Sequence, residues 1–146
     1  MSLPHVVIHT DGSYRPQYDR GGWSGLMQCG PYYQMIYGNL DHTSISRMEL
    51  SAVINCLSLL NVPCQVTLYS DSKYVVNGFS QWIYNWQSNG WKTCNRKPVE
   101  HQDLWQAAIR LKSIHKIKII YVKGHNGHYE NELADYLARY ASSQPV

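Results

Sequence analysis

The chain's first forty residues hold three strand-like stretches in succession, and helical spacing begins only after them. His5 to Thr10 is β-branched and apolar, a strand that would deliver Asp11 at its end. GGWSGLMQCG and YYQMIYGNL read as two more strands, with Gly30-Pro31 marking the turn between them, so residues 1–40 should form an antiparallel meander. Ser46 then stands as an N-cap, with Glu49 three residues later as its capping-box partner. Leu50, Val53, Ile54, Leu57 and Leu60 follow helical spacing until Val62-Pro63 stops it.

QVTLYS is a short strand leading to Asp71. The SKYVVNGF helix follows and is expected to break at Gly78, a further helix from Phe79 carrying Trp82 and Trp86 at i,i+4. Asn89-Gly90 turns the chain into WKTCNRKPV, an irregular basic arm. A helix over 101–115 with Leu104, Ala107, Ala108 and Leu111 on one stripe and the strand KIKIIYV come next. A helix from about Tyr129 to Ser142, burying Leu133, Tyr136, Leu137 and Tyr140, ends the chain. This order specifies an α/β chain with a mixed sheet flanked by helices, its strand–helix–strand portions forming right-handed parallel crossovers.

With 146 residues the chain is expected to be a single domain over 1–146, able to bury roughly 70% of its unfolded surface. No apolar run approaches the ~20 residues of a membrane span. MSLPHVVIHTDG has no basic leader region, so a cytoplasmic protein without membrane contact is expected. Cys29, Cys56, Cys64 and Cys94 are widely spaced with no CxxC pair, consistent with reduced thiols.

Only ten residues are acidic, yet Asp11, Glu49, Asp71 and Asp135 all sit beside strand or helix signals. Carboxylates on separate elements can converge and hold divalent cations, the oxygen-rich chemistry that Mg²⁺ favours. Each has a plainer role open to it: Glu49 as a capping-box acid, Asp71 as the N-cap of SKYVVNGF. The formal net charge is +3. Its distribution is more telling, because Lys92, Arg96, Lys97, Arg110, Lys112, Lys116, Lys118 and Lys123 cluster between 92 and 123. A basic flank beside an acidic centre suits a polyanion whose scissile phosphate approaches through bound metal.

The ordered set TDGS, RMEL, SDSKYV, QWIYNW, NGWKT, DLW and VKGHNGHYENELAD resembles a bacterial-style type 1 ribonuclease H, from about His5 to Arg139. The resemblance implies a ribonuclease H-like fold, a five-stranded mixed sheet with three antiparallel strands then two parallel ones. It implies a metal-dependent endonuclease that hydrolyses the RNA strand of RNA–DNA hybrids, leaving 5′-phosphate and 3′-hydroxyl ends. It also implies two Mg²⁺ ions, or Mn²⁺ in their place. Carried over by position, the catalytic and metal-binding acids are Asp11, Glu49, Asp71 and Asp135, and His125 in the GHNGH loop is the auxiliary histidine. His125-x-x-His128 with Glu132 invites a zinc reading, but no fourth ligand is evident, so His128 is read as structural.

Trp82, Trp86 and Trp91 resemble the family's basic protrusion that grips the DNA strand, with Trp82 read as a core anchor and Trp86 as the contact. Lys92, Arg96 and Lys97 would meet phosphates. Gln87-Ser88-Asn89 is less basic than that turn often is in bacterial members, which predicts weaker hybrid binding. The 2′-hydroxyls would be read around Gly12-Ser13, Gln17 and the 44–47 loop with Ser44 and Ser46. SISRMEL and RPQYDRGG depart there from the family's asparagine- and glycine-rich patterns. Lys73 beside Asp71 is a further candidate phosphate contact, with a solvated lysine the alternative. The expected partner is an RNA–DNA hybrid, bound by a monomer without an obligate protein partner. A silent hybrid-binding module and a DNA-cutting nuclease on the same fold are the alternatives.

Overall fold

The computed structural model describes residues 2–124 and 128–146. Strands β1 (His5–Arg15), β2 (Arg20–Cys29) and β3 (Tyr32–Asp41) form the antiparallel meander. Helix α1 (Ile45–Ser58) leads to β4 (Gln65–Ser70), which pairs parallel to β1, and β5 (Lys116–Tyr121) pairs parallel to β4. The sheet order is β3-β2-β1-β4-β5, the expected five-stranded mixed sheet. Between β4 and β5 lie α2 (Lys73–Asn77), a π-helical turn Gly78–Trp82, α3 (Ile83–Ser88) and α4 (Gln102–Ile114). Helix α5 (Tyr129–Ser143) follows β5.

Strand alternation puts Val6, Ile8, Thr10 and Gly12 on one sheet face and Val7, His9, Asp11 and Ser13 on the other. The first face packs against α1: Ile8 joins Leu50, Val53, Leu57, Val66, Leu68, Val75 and Trp105 in the core. The second face receives α5. Ser24, paired with Asp11, donates to the Ala134 carbonyl at 2.5 Å, and a Cβ at Gly22 would stand 2.2 Å from the Ala138 carbonyl.

Five local expectations change. Strand β1 runs on to Arg15 instead of ending before Asp11, because Gly12, Ser13 and Tyr14 pair with Trp23, Gly22 and Gly21. The polar Asp-Gly-Ser run looked like a strand end, but cross-strand pairing overrides it. The N-cap of α1 is Ser44, whose Oγ accepts from the Arg47 N–H at 3.2 Å, so Glu49 sits too deep in the helix for the capping box. Ser72, not Asp71, caps α2 by accepting from the Val75 N–H at 3.3 Å. Both acids are thereby relieved of the plainer roles the sequence left open.

Gly78 does not break its helix: it keeps right-handed helical angles, and the chain from 73 to 88 stays helical through the π turn. A Cβ there would stand 2.1 Å from the Trp105 ring, so the glycine marks close packing of the π turn on α4. Helix α5 buries Asn131, Ala134, Ala138, Ala141 and Ser142, while Tyr136 and Tyr140 are exposed. Small side chains let the helix lie close on β1 and β2, where tyrosines would hold it off.

All four cysteines are unpaired. Among the described residues, no helix is long and apolar enough to cross a membrane.

Candidate active site

Asp11 lies on the central strand β1, 3% exposed, paired with Ser24 of β2 and two residues past His9, where the ladder to β4 ends. The chain after β4 carries Asp71, and the second turn of α1 presents Glu49. Gly12 makes this approach possible: a Cβ there would stand 2.6 Å from Glu49 N and 2.8 Å from the Met48 carbonyl carbon. Only glycine lets strand and helix backbones come this close. One carboxylate oxygen from each of Asp11, Glu49 and Asp71 falls within 4.8 Å of the other two.

Burial and then the charge of Asp71 push the Asp11 carboxyl up to about 8, with Asp135 adding to the rise through charge and a hydrogen bond. Burial, then Asp11 and Asp71, likewise holds Glu49 well above the carboxylate range. The Gly12 N–H opposes this by donating to Asp11 Oδ1 at 2.8 Å. Glu49 Oε2 is buried with no hydrogen-bond partner among the described residues. A buried acid oxygen without a donor, beside two more carboxylates, fits a hard divalent cation.

Asp135 reaches Asp11 from α5 but stands outside the tight group of three, and Arg139 Nε holds its Oδ2 at 3.0 Å. Arg139 carried no sequence signal of this role, and Gly124 stood in the sequence only as part of the GHNGH motif. A Cβ on Gly124 would stand 2.9 Å from Asp71 Oδ2, so the chain after β5 passes directly beside that acid. His125 lies outside the described residues.

Around this centre, Gln17 is exposed in the 3₁₀ turn Pro16–Tyr18, and the Ser13 hydroxyl points away to Ser142 Oγ at 3.3 Å. That leaves the Gly12-Ser13 backbone, not the Ser13 side chain, for any ligand. The Ser44 hydroxyl is engaged as a helix cap, and Ser46 Oγ lies 3.2 Å from His101 Nε2. Arg47 grips Asp103 through two bonds of 3.1 and 2.6 Å, tying the start of α1 to the start of α4. Sequence spacing gives no hint of this latch, since 56 residues separate the partners.

Lys73 is exposed, its ammonium 5.6 Å from the Tyr121 ring centre. On the helical arm the tryptophan burial is the reverse of that expected. Trp86 packs on core Trp105 with ring centres 5.2 Å apart, whereas Trp82 is 36% exposed. Trp91 is half-buried with φ +63°, and Lys92, Arg96 and Lys97 are exposed beyond it.

A mixed sheet whose central strand gathers carboxylates able to hold a metal ion, in a chain with an exposed basic arm, is the architecture met here. The RNase H family profile matches residues 4–143. A Ribonuclease H of Novosphingobium aromaticivorans is 45% identical over 136 residues, 93% of this chain and 95% of the relative. One from Rhodopseudomonas palustris strain TIE-1 is 48% identical over 134 residues, 92% of this chain and 86% of the relative. Among solved structures, LC9-RNase H1, described as a type 1 RNase H with the type 2 active-site motif, superposes with a TM-score of 0.86 at 26% identity, over 97% of this chain and 74% of that one. The chain belongs to the RNase H family.

Proposed function

We propose that this protein is an endoribonuclease that hydrolyses the RNA strand of RNA–DNA hybrids. Two divalent cations, Mg²⁺ or Mn²⁺ in its place, would be held by Asp11, Glu49, Asp71 and Asp135. The observation that carries the reading is the convergence of Asp11, Glu49 and Asp71 oxygens within 4.8 Å, one of them buried without a donor, in a chain of this family. When bound, such cations lower the pKa of an attacking water and offset charge on the phosphate and the leaving 3′ oxygen.

The chain's own residues prepare that chemistry. Asp11 stands between Asp71 and Asp135, with the Gly12 N–H fixing one of its oxygens. The mutual repulsion of the acids, met in metal-free protein by the raised proton affinity of Asp11, would be offset by bound cations. Arg139 orients Asp135. His125 is proposed to move a proton at the leaving oxygen or to assist product release. The Gly12-Ser13 backbone, Gln17, Ser44 and Ser46 line the approach where 2′-hydroxyls would be read. On the arm, Trp86 and Trp91 anchor the surface from which Lys92, Arg96 and Lys97 reach phosphates, and Lys73 adds a cation near Asp71. The reading includes a cytoplasmic monomer acting without an obligate protein partner.

The test is cleavage of an end-labelled RNA–DNA hybrid with and without Mg²⁺, beside RNA–RNA and DNA–DNA duplexes. Cutting of the hybrid's RNA strand alone, abolished by a chelator, is expected. Tight hybrid binding without cutting would instead define a binding module, and cutting of duplex DNA would define a DNA nuclease.

A further inference from the structure

Two residues before Asp11, on the same face of β1, stands His9, which is only 9% exposed. Its ring stacks on Tyr69 of the neighbouring strand, with centroids 4.8 Å apart and planes 15° from parallel. Above it begins α5, with His128 at the N-cap position and Glu130 in the first turn. One ligating atom from each of His9, His128 and Glu130 lies within 4.8 Å of the other two. No hydrogen bond or ion pair among the described residues joins the three, so the space between these atoms is not closed by direct contact.

We propose that His9, His128 and Glu130 form a second cation site, taking a transition-metal ion of the Zn²⁺ class. Two imidazoles and one carboxylate are a borderline-soft donor set suited to Zn²⁺, with water completing a tetrahedron. The Asp11 centre offers oxygen alone, which suits Mg²⁺. The two sites therefore select different metals although they share a strand. Tyr69 supports the first ligand, since its stacked ring restricts how the His9 imidazole can turn. The positive end of the α5 dipole opposes a cation here, and the Glu130 carboxylate offsets it.

The sequence hid this set. His125-x-x-His128 with Glu132 is the pattern that spacing offers, but Glu132 is exposed on α5. His128 is instead brought together with a histidine 119 positions earlier (128 − 9), which no motif links to it. An ion held here would fasten the first turn of α5 to β1. Asp135 lies on that same helix five residues past Glu130, so the ion would also steady its approach to Asp11.

The proposal rests on this geometry and not on the nuclease reading, and binding rather than turnover tests it. Untagged full-length protein is titrated with Co²⁺ in saturating Mg²⁺, because tetrahedral nitrogen-bound Co²⁺ absorbs visible light far more strongly than octahedral oxygen-bound Co²⁺. One equivalent should develop the intense band, and one equivalent of Zn²⁺ should abolish it. His9→Phe keeps a ring on Tyr69, and His128→Asn alters an exposed position; each should lose the band and weaken Zn²⁺ binding about 100-fold or more, ligand loss costing at least as much as loss of a ligand's support. Asp11→Asn should keep the band. Absence of the band in the wild-type protein, or its persistence in folded His128→Asn, would overturn the site.

Discussion

Opposed forces act on the Asp11 carboxylate. Burial and the charge of Asp71 raise it to about 8, while the Gly12 N–H pulls the other way. In metal-free protein the folded state therefore holds a proton on Asp11 that the unfolded chain releases above about pH 4. The sign follows: the folded state binds more protons, so stability falls as pH rises from about 4 towards 8. Asp11→Asn removes that cost. In chelator at pH 8 it should melt about 3–6 °C above the wild type, and the gap should close near pH 4. The same substitution should cut hydrolysis in Mg²⁺ about a thousandfold or more, the loss of several kcal/mol of charge stabilisation. Melting curves across pH and single-turnover rates check both, and full activity of the variant would remove Asp11 from the site.

At the scale of elements, the site depends on close packing of backbones. Gly12 lets β1 meet α1, Gly22 lets β2 meet α5, and Gly78 lets the π turn meet Trp105. The last is the cleanest to test, since it lies away from the acids and has ordinary helical angles. Gly78→Ala gains helix propensity worth about 1 kcal/mol. It must also displace a fully buried ring from a 2.1 Å approach, and overpacking of this kind costs about 1–3 kcal/mol. Net destabilisation of up to about 2 kcal/mol is expected by urea unfolding. Because Trp86 packs on the same ring, the arm should shift and raise the Michaelis constant with little change in turnover. A neutral or stabilising result would mean that Trp105 has room to move.

At the scale of the molecule, an acidic centre and a basic arm divide the work, and the division is uneven. Lys92, Arg96 and Lys97 extend the arm, but its turn at Gln87 and Ser88 is uncharged and exposed. Adding charge there with Gln87→Lys and Ser88→Lys should lower the Michaelis constant for a hybrid at 150 mM salt. It should also steepen the log–log salt dependence of binding by up to about 2, one for each added phosphate contact. An unchanged slope would place the bound strand elsewhere.

The sequence by itself determined the order of elements, the mixed sheet and the family, because strand and helix periodicities and short motifs are local properties. It misread what depends on a neighbour. Ser44 caps α1 because the chain turns there, Asp-Gly-Ser continues β1 because β2 pairs with it, and alanines face inward on α5 because the sheet lies close beneath. The Arg47–Asp103 latch and the meeting of His9 with His128 and Glu130 join residues that no periodicity relates. Only the tertiary structure decided them, since through-space approach sets both the charge on buried acids and the partners of a buried imidazole.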